Sequence, residues 1–275
     1  MNLKELNPDS SPQAAFGAKL RSVREKRGWT QEELGERIGY SGKHVSAIET
    51  GRKSPTRRFS RSTDQALGTG DEFEREWREI RHGSLLEGFP EYVNYEGRAT
   101  EIRLYEVGVV PGLLQTPEYA AALTQGAVKR GAITPTQADE YVSLAADRQA
   151  ALVRTTLPLL FVVLDESCIR RPIGGPEVMD AQFDRLVELA EQPNTVLQVA
   201  PFEMGARRAF TLPITILTMA DRSLMSYAES AQRGHLERET AFVLPILTAY
   251  HQLQAEALPQ ASSVTMIRQL RKGTP

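Results

Sequence analysis

Six basic residues, Lys43, Arg52, Lys53, Arg57, Arg58 and Arg61, fall in a stretch that holds one acidic residue, Glu49. Cations so placed suit a polyanion, because each can neutralise a phosphate and release its counterion. The same run fits a solvated basic face, so charge alone leaves both readings open. The asymmetry extends along the chain. The first 70 residues carry 13 Lys/Arg against 8 Asp/Glu, and the remainder carries 20 against 27. A net charge of −2 over 275 residues therefore hides a basic front and an acidic body.

Other residues offer chemistry singly. Asp165-Glu166 closes an apolar run and has the form of a metal or acid/base pair, but no histidine lies near it in sequence. His235 and His251 stand alone, which fits surface or core histidines. Cys168, between Ser167 and Ile169-Arg170-Arg171, is compatible with a lowered thiol pKa and with a buried structural thiol. Gly174-Gly175 before a helical pattern lacks the surrounding glycines of a phosphate-binding loop. The expectation is no catalytic residue, no metal, no cofactor and no enzyme. An enzyme with a DNA-binding appendage becomes the better reading if a pocket gathers Asp165, Glu166 and a histidine. A single cysteine rules out an internal disulfide and fits a reducing compartment. No apolar run reaches the roughly 18–20 residues of a membrane span. A soluble, cytoplasmic protein without a membrane partner is expected.

Short helices must position the basic residues. Residues 14–27 read as an amphipathic helix with Phe16, Leu20 and Val23 inward, closed by Gly28. Thr30-Gln31-Glu32-Glu33 forms a capping box for a second helix carrying Leu34 and Ile38, which Gly39 stops. Ser41 is the natural N-cap of a third, with Val45 and Ile48 inward and Gly51 past its end. Two short helices around a glycine-containing turn have helix-turn-helix form. Phe59 and Leu67 on residues 56–67 supply the cover such helices need. Asp71 is placed to cap a connector helix to about residue 81, with Phe73, Trp77 and Ile80 on one face and His82-Gly83-Ser84 at its end.

The string from Thr30 through Gln31, Leu34, Ile38, Gly39 and Ser41 to Val45, Ile48, Glu49 and Gly51 resembles the Xre/Cro type of phage repressor domain over residues 14–69. The resemblance implies that the third helix enters the major groove. It places Gln31 on a phosphate, Ser41, Lys43, His44 and Ala47 at the reading end, and Arg52, Lys53, Arg57 and Arg58 on the DNA backbone. Lys43 can donate to guanine O6 and N7, whereas His44 also fits a surface position touching a phosphate or nothing. Gly42 departs from the family, which often carries a base-reading side chain there, and this implies a less stringent readout. Arg24 and Glu49 correspond to a buried structural ion pair.

Beyond residue 85 the patterns alternate. Helices are expected over 117–126, 136–153, 176–191, 238–256 and 264–270. Strands are expected over 159–164 and 195–200, with a hairpin of 214–219 and 224–228. Strand, helix, strand over 159–200 fits a βαβ unit, in a sheet that is parallel or mixed. The fold class is an all-α N-terminal helix-turn-helix domain of four to five helices plus a larger mixed α/β domain. The divisions are 1–70, a connector 71–84, and 85–275. Val110 to Thr116, Tyr119-Ala120, Asp147-Arg148-Gln149, Leu164-Asp165-Glu166, Arg170-Arg171, Gly174-Gly175-Pro176 and Gln198 to Phe202 resemble the C-terminal domain of WhiJ-like actinobacterial regulators. That resemblance implies transcriptional control with a small cognate protein as partner, and leaves a small-molecule effector open. The candidate partner or ligand region is Pro111, Leu113, Leu114, Gln115, Arg148 and Glu166; Pro111 to Thr116 fits a core-packing loop equally well, and a buried Arg148–Glu166 pair is another possibility.

Two functions follow. One is a homodimeric repressor or activator on double-stranded DNA, its half-sites roughly 34 Å apart. The other is an antitoxin-like protein that neutralises a small partner and regulates its own operon.

Overall fold

The computed structural model describes residues 11–83, 86, 88–154, 156–230 and 233–271. The chain divides into two compact units, 1–85 and 86–275.

The first unit is helical: α1 (Pro12–Lys26), α2 (Gln31–Ile38), α3 (Gly42–Glu49), α4 (Arg57–Leu67) and α5 (Glu72–Gly83). Four helix starts carry side-chain caps, from Ser11, Thr30, Ser41 and Thr56. At Thr30 the capping box is complete, since Glu33 N donates to Thr30 Oγ1 (3.1 Å) and Thr30 N to Glu33 Oε2 (2.6 Å). One core holds Phe16, Leu20, Leu34, Ile38, Val45, Ile48, Phe59, Leu67, Phe73 and Ile80. Close approach demands glycine twice. A Cβ on Gly17 of α1 would stand 2.4 Å from Ile48 O, and one on Gly35 of α2 would stand 2.6 Å from Tyr40 O. These contacts set α1 against the end of α3 and fold α2 onto the turn that launches α3.

Helix α5 departs from the expected connector. Phe73 and Ile80 are buried in the same core, and Phe73 meets Phe16 edge-on at 5.4 Å. Its cap comes from α4 instead of Asp71. Buried Asp64 accepts Phe73 N at 2.9 Å and Glu74 N at 2.8 Å, which satisfies two orphan amides at the start of α5. Ser84, expected to end this helix, lies outside the described residues.

The second unit is built on a six-stranded mixed sheet in the order β3-β2-β1-β4-β5-β6. The strands are β1 (Glu101–Glu106), β2 (Leu159–Asp165), β3 (Thr195–Ala200), β4 (Ile214–Thr218), β5 (Leu224–Glu229) and β6 (Gly234–Glu237). β1, β2 and β3 pair parallel, while β4, β5 and β6 continue from β1 antiparallel. Helices α6 (Phe89–Glu96), α7 (Pro117–Lys129), α8 (Pro135–Leu152), α9 (Ser167–Arg170), α10 (Pro176–Ala190), α11 (Thr240–Glu256) and α12 (Gln260–Arg271) complete it. β2–α10–β3 is the βαβ unit of the sequence, and β4–β5 is the hairpin, turning through Arg222 at φ 69°. Two strands and the helices α6 and α9 were not foreseen, among them β1, which joins the parallel and antiparallel halves. One sheet face carries Ile102, Leu104, Val162, Leu197 and Leu217 with Phe183, Leu186 and Ile267. The other packs Tyr105, Val163 and Ile216 against Val243, Tyr250 and Leu253 of α11. The outer edge of β3 is covered, since Leu197 N donates to Gln260 Oε1 (3.0 Å) and Val199 N to Ser263 Oγ (2.9 Å). Among the described residues, no helix is long and apolar enough to cross a membrane.

Candidate nucleic-acid interface

The reading helix α3 rests on a buried polar network. Glu49 at its end is 1% exposed and Arg24 of α1 6%. Arg24 Nε donates to Glu49 Oε1 at 2.6 Å and Nη2 to Oε2 at 3.1 Å, while Nη1 donates to Trp29 O. Gln31 adds a third bond, Nε2 to Glu49 Oε2 at 2.7 Å. The side chain that the sequence placed on a phosphate is thus oriented from below by Glu49. One amide hydrogen and Oε1 remain for a ligand. The pair fixes α1, α2 and α3 together, which explains a carboxylate amid the basic run.

Ser41 Oγ accepts His44 N at 3.2 Å, so its hydroxyl caps α3 and keeps its proton to donate. Lys43 is exposed and carries no ion pair among the described residues. Ala47 is partly exposed, and its carbonyl accepts the amides of Arg52 (2.9 Å) and Lys53 (3.1 Å). This folds the following loop back over the last turn of α3 and holds both exposed cations beside it.

His44 corrects the sequence reading. Its ring packs on Tyr40 (centroids 4.7 Å) and Phe59 (5.8 Å), with Nε2 buried and without a hydrogen-bond partner. Burial, then the charge of Lys53, hold its pKa below the ordinary histidine value. It is a packing residue between the turn and α4. Arg57 differs as well, since Nε donates to Glu74 Oε1 at 2.9 Å. Arg61 and Arg78 approach the same carboxylate at 3.7 and 3.8 Å. Arg58 next door is exposed, with no acidic partner among the described residues. Glu74 lies 17 residues beyond Arg57, a partnership that no local pattern signals.

In the second unit the candidate region is largely interior. Pro111 is buried, Leu113 is 4% exposed and Leu114 fully buried, within the main core. Gln115 Nε2 donates to Val110 O (2.7 Å), Gln149 Nε2 to Gly112 O (2.8 Å) and Gln182 Nε2 to Leu114 O (2.8 Å). The segment is a clamped core loop, so its leucines present no surface to a partner. Arg148 pairs with Glu96, Nε to Oε1 at 2.8 Å and Nη2 to Oε2 at 2.7 Å, and not with Glu166. Glu166 accepts Arg170 Nε (2.9 Å) and Phe202 N (2.8 Å). Asp165 accepts Ser167 and Arg208 Nη1 (2.9 Å), and no described histidine joins either carboxylate. Among the described residues, no group of three or more His, Cys, Asp and Glu is gathered that could hold a metal ion. Cys168 is buried, its thiol donates to Glu106 O (3.2 Å), and burial pushes its pKa up. Sequence reasoning missed Glu106, largely buried at the end of β1, whose carboxyl burial raises to about 7.

Residues 15–77 match a family described as a helix-turn-helix domain. The span takes in the first half of α5, with the core residue Phe73. No curated protein and no solved structure matches the chain. A helix-turn-helix domain, with exposed cations that have no acidic partner among the described residues, supports a DNA-binding regulator. Residues 89–269 match the family described as a domain of unknown function (DUF5753), and the chain belongs to that family.

Proposed function

We propose that the protein is a sequence-specific transcriptional regulator of the Xre/Cro type, acting in the cytoplasm as a homodimer. Its second unit would receive a small protein or a small molecule, as the WhiJ-like resemblance implies. The observation that carries the reading is the outer face of α3. Lys43 is exposed and Ala47 partly exposed there, Arg52 and Lys53 are exposed in the loop that follows, Arg58 is exposed on α4, and none of these cations has an acidic partner among the described residues. Exposed, unneutralised charge at the first turn of the helix and in the loop after it suits phosphates on either side of a groove. The dimer supplies the second reading helix that a two-fold operator requires.

Selection from randomised duplex DNA, with a salt titration of the selected site, tests this. The expected result is a two-fold site, with log affinity falling against log salt by about 3 per half-site for three phosphate contacts. Lys43→Ala should flatten the base preference at one position and leave the rest. Sedimentation of the free and bound protein reports the dimer, and native mass spectrometry from the host reports a partner. Binding that selects no sequence, or that ignores salt, overturns the reading.

A further inference from the structure

The first residue of α3, where the reading helix enters the groove, has no side chain, and another residue occupies its place. A Cβ built on Gly42 would lie 2.8 Å from Glu32 Oε1, 2.9 Å from its Cδ and 3.0 Å from its Cγ. Glu32, in the first turn of α2, is therefore draped over the start of α3. It is exposed, and its carboxylate makes no hydrogen bond or ion pair among the described residues. It lies over the residue that immediately precedes exposed Lys43 in the chain.

We propose that Glu32 is a base-reading residue that takes the position left empty by Gly42 and selects cytosine. The inference rests on the DNA-reading function argued above and deepens it. A carboxylate there has no use for a phosphate, which it repels, whereas Arg52, Lys53 and Arg58 are available to the backbone. In the major groove a carboxylate needs a donor. Cytosine N4 provides one, while adenine sets its N7 acceptor beside N6 and so opposes a second carboxylate oxygen. Glu32 and Lys43 then form adjoining acceptor and donor, a pair suited to cytosine and guanine edges. Gly42 is the condition for this, because any larger residue displaces the carboxylate.

The test is base preference, read by selection on randomised duplexes with the full-length chain. The wild type should prefer cytosine at one position of each half-site, by about tenfold over thymine. Glu32→Gln should move that preference to adenine, since a carboxamide matches N6 and N7 together. Glu32→Ala should abolish it while overall affinity rises. Gly42→Ser, which pushes the Glu32 side chain aside, should reproduce the loss. A purely structural role, steadying the amides at the start of α3, would lower the melting temperature and leave every base preference in place; that outcome overturns the proposal. So does a wild-type site lacking the cytosine. If the wild type selects no sequence at all, the regulator reading fails first, and the two failures are distinct.

Discussion

Removing Arg24 should destabilise the first unit, with the stranded Glu49 as the cause. In Arg24→Met, Glu49 keeps one of its three side-chain bonds, that from Gln31 at 2.7 Å, and stays 1% exposed. An ionised carboxylate left buried without its cation costs on the order of 3–5 kcal/mol. For a domain of this size each kcal/mol shifts the melting temperature by about 4–8 °C, so a fall of about 12 °C or more is expected. Both tryptophans, Trp29 and Trp77, lie in the first unit, so their fluorescence follows its melting without interference from the second. Replacing both partners, as Arg24→Met with Glu49→Leu, removes the stranded charge and should recover most of the loss. A single variant melting within about 2 °C of the wild type, or a double variant worse than the single, would refute a desolvated pair. The second outcome would also mean that Gln31 alone can carry Glu49.

Glu74→Gln should free Arg57 and Arg61 for DNA, steepening the salt dependence by about 0.9 for each arginine that reaches a phosphate. An unchanged slope would mean that neither arginine reaches DNA. Glu106 should make the second unit lose stability as pH rises. Its folded pKa of about 7 exceeds the ordinary 4.5, so the contribution is complete below about 4.5 and is lost through about 7. The difference is on the order of 3 kcal/mol. Glu106→Gln should therefore melt several degrees above the wild type at pH 8 and level with it near pH 4.5. An equal gap at both pH values would show that ionisation is not the cause. A fragment ending at residue 70 should fail to fold, since Phe73 and Ile80 leave the core and Asp64 loses the amides it caps. One ending at residue 83 should give a cooperative melt, and two indistinguishable melts would contradict the placement of α5.

What the sequence disclosed was whatever local physics controls. The capping box at Thr30, the cap at Ser41 and the apolar spacing of Leu34, Ile38, Val45 and Ile48 determine α2 and α3 within a few residues of themselves. The role of α5 was hidden because its cap, Asp64, sits nine residues before the amide it serves. β1 was hidden because Glu101-Ile102-Arg103-Leu104-Tyr105-Glu106 reads as polar. Its Arg103 is satisfied on the sheet, reaching Glu101 two residues back on the same strand (2.6 Å) and Thr218 of β4 (3.0 Å) and lying over Phe161 of β2. His44 was legible in principle, being one turn before Ile48 on the inward side of α3. Leu113-Leu114 left a docking loop and a core-packing loop open, because adjacent leucines fit either, and a short 3-10 turn (Gly112–Leu114) decides for the core by burying both. Glu32 over Gly42 needed coordinates, since only the fold of α2 onto the turn brings residues ten apart into contact.

The ion pairs of the first unit form a gradient that follows the cost of desolvation. Arg24–Glu49 is buried, and a phosphate outside cannot exchange with it without exposing both groups to that cost. Arg57–Glu74 lies at the surface, with the arginine 58% exposed, where an ion pair contributes about 0–1 kcal/mol. A phosphate can displace Glu74 from Arg57 for about that amount, so this arginine is available at a small penalty. Lys43, Lys53 and Arg58 have no acidic partner among the described residues to give up. The domain thus has a fixed charge framework beneath α3, cations available at once around it, and an arginine cluster held in exchange by one carboxylate of α5. Because α5 belongs to the core and its first turn carries Glu74, the helix that completes the fold also holds the arginine cluster of α4.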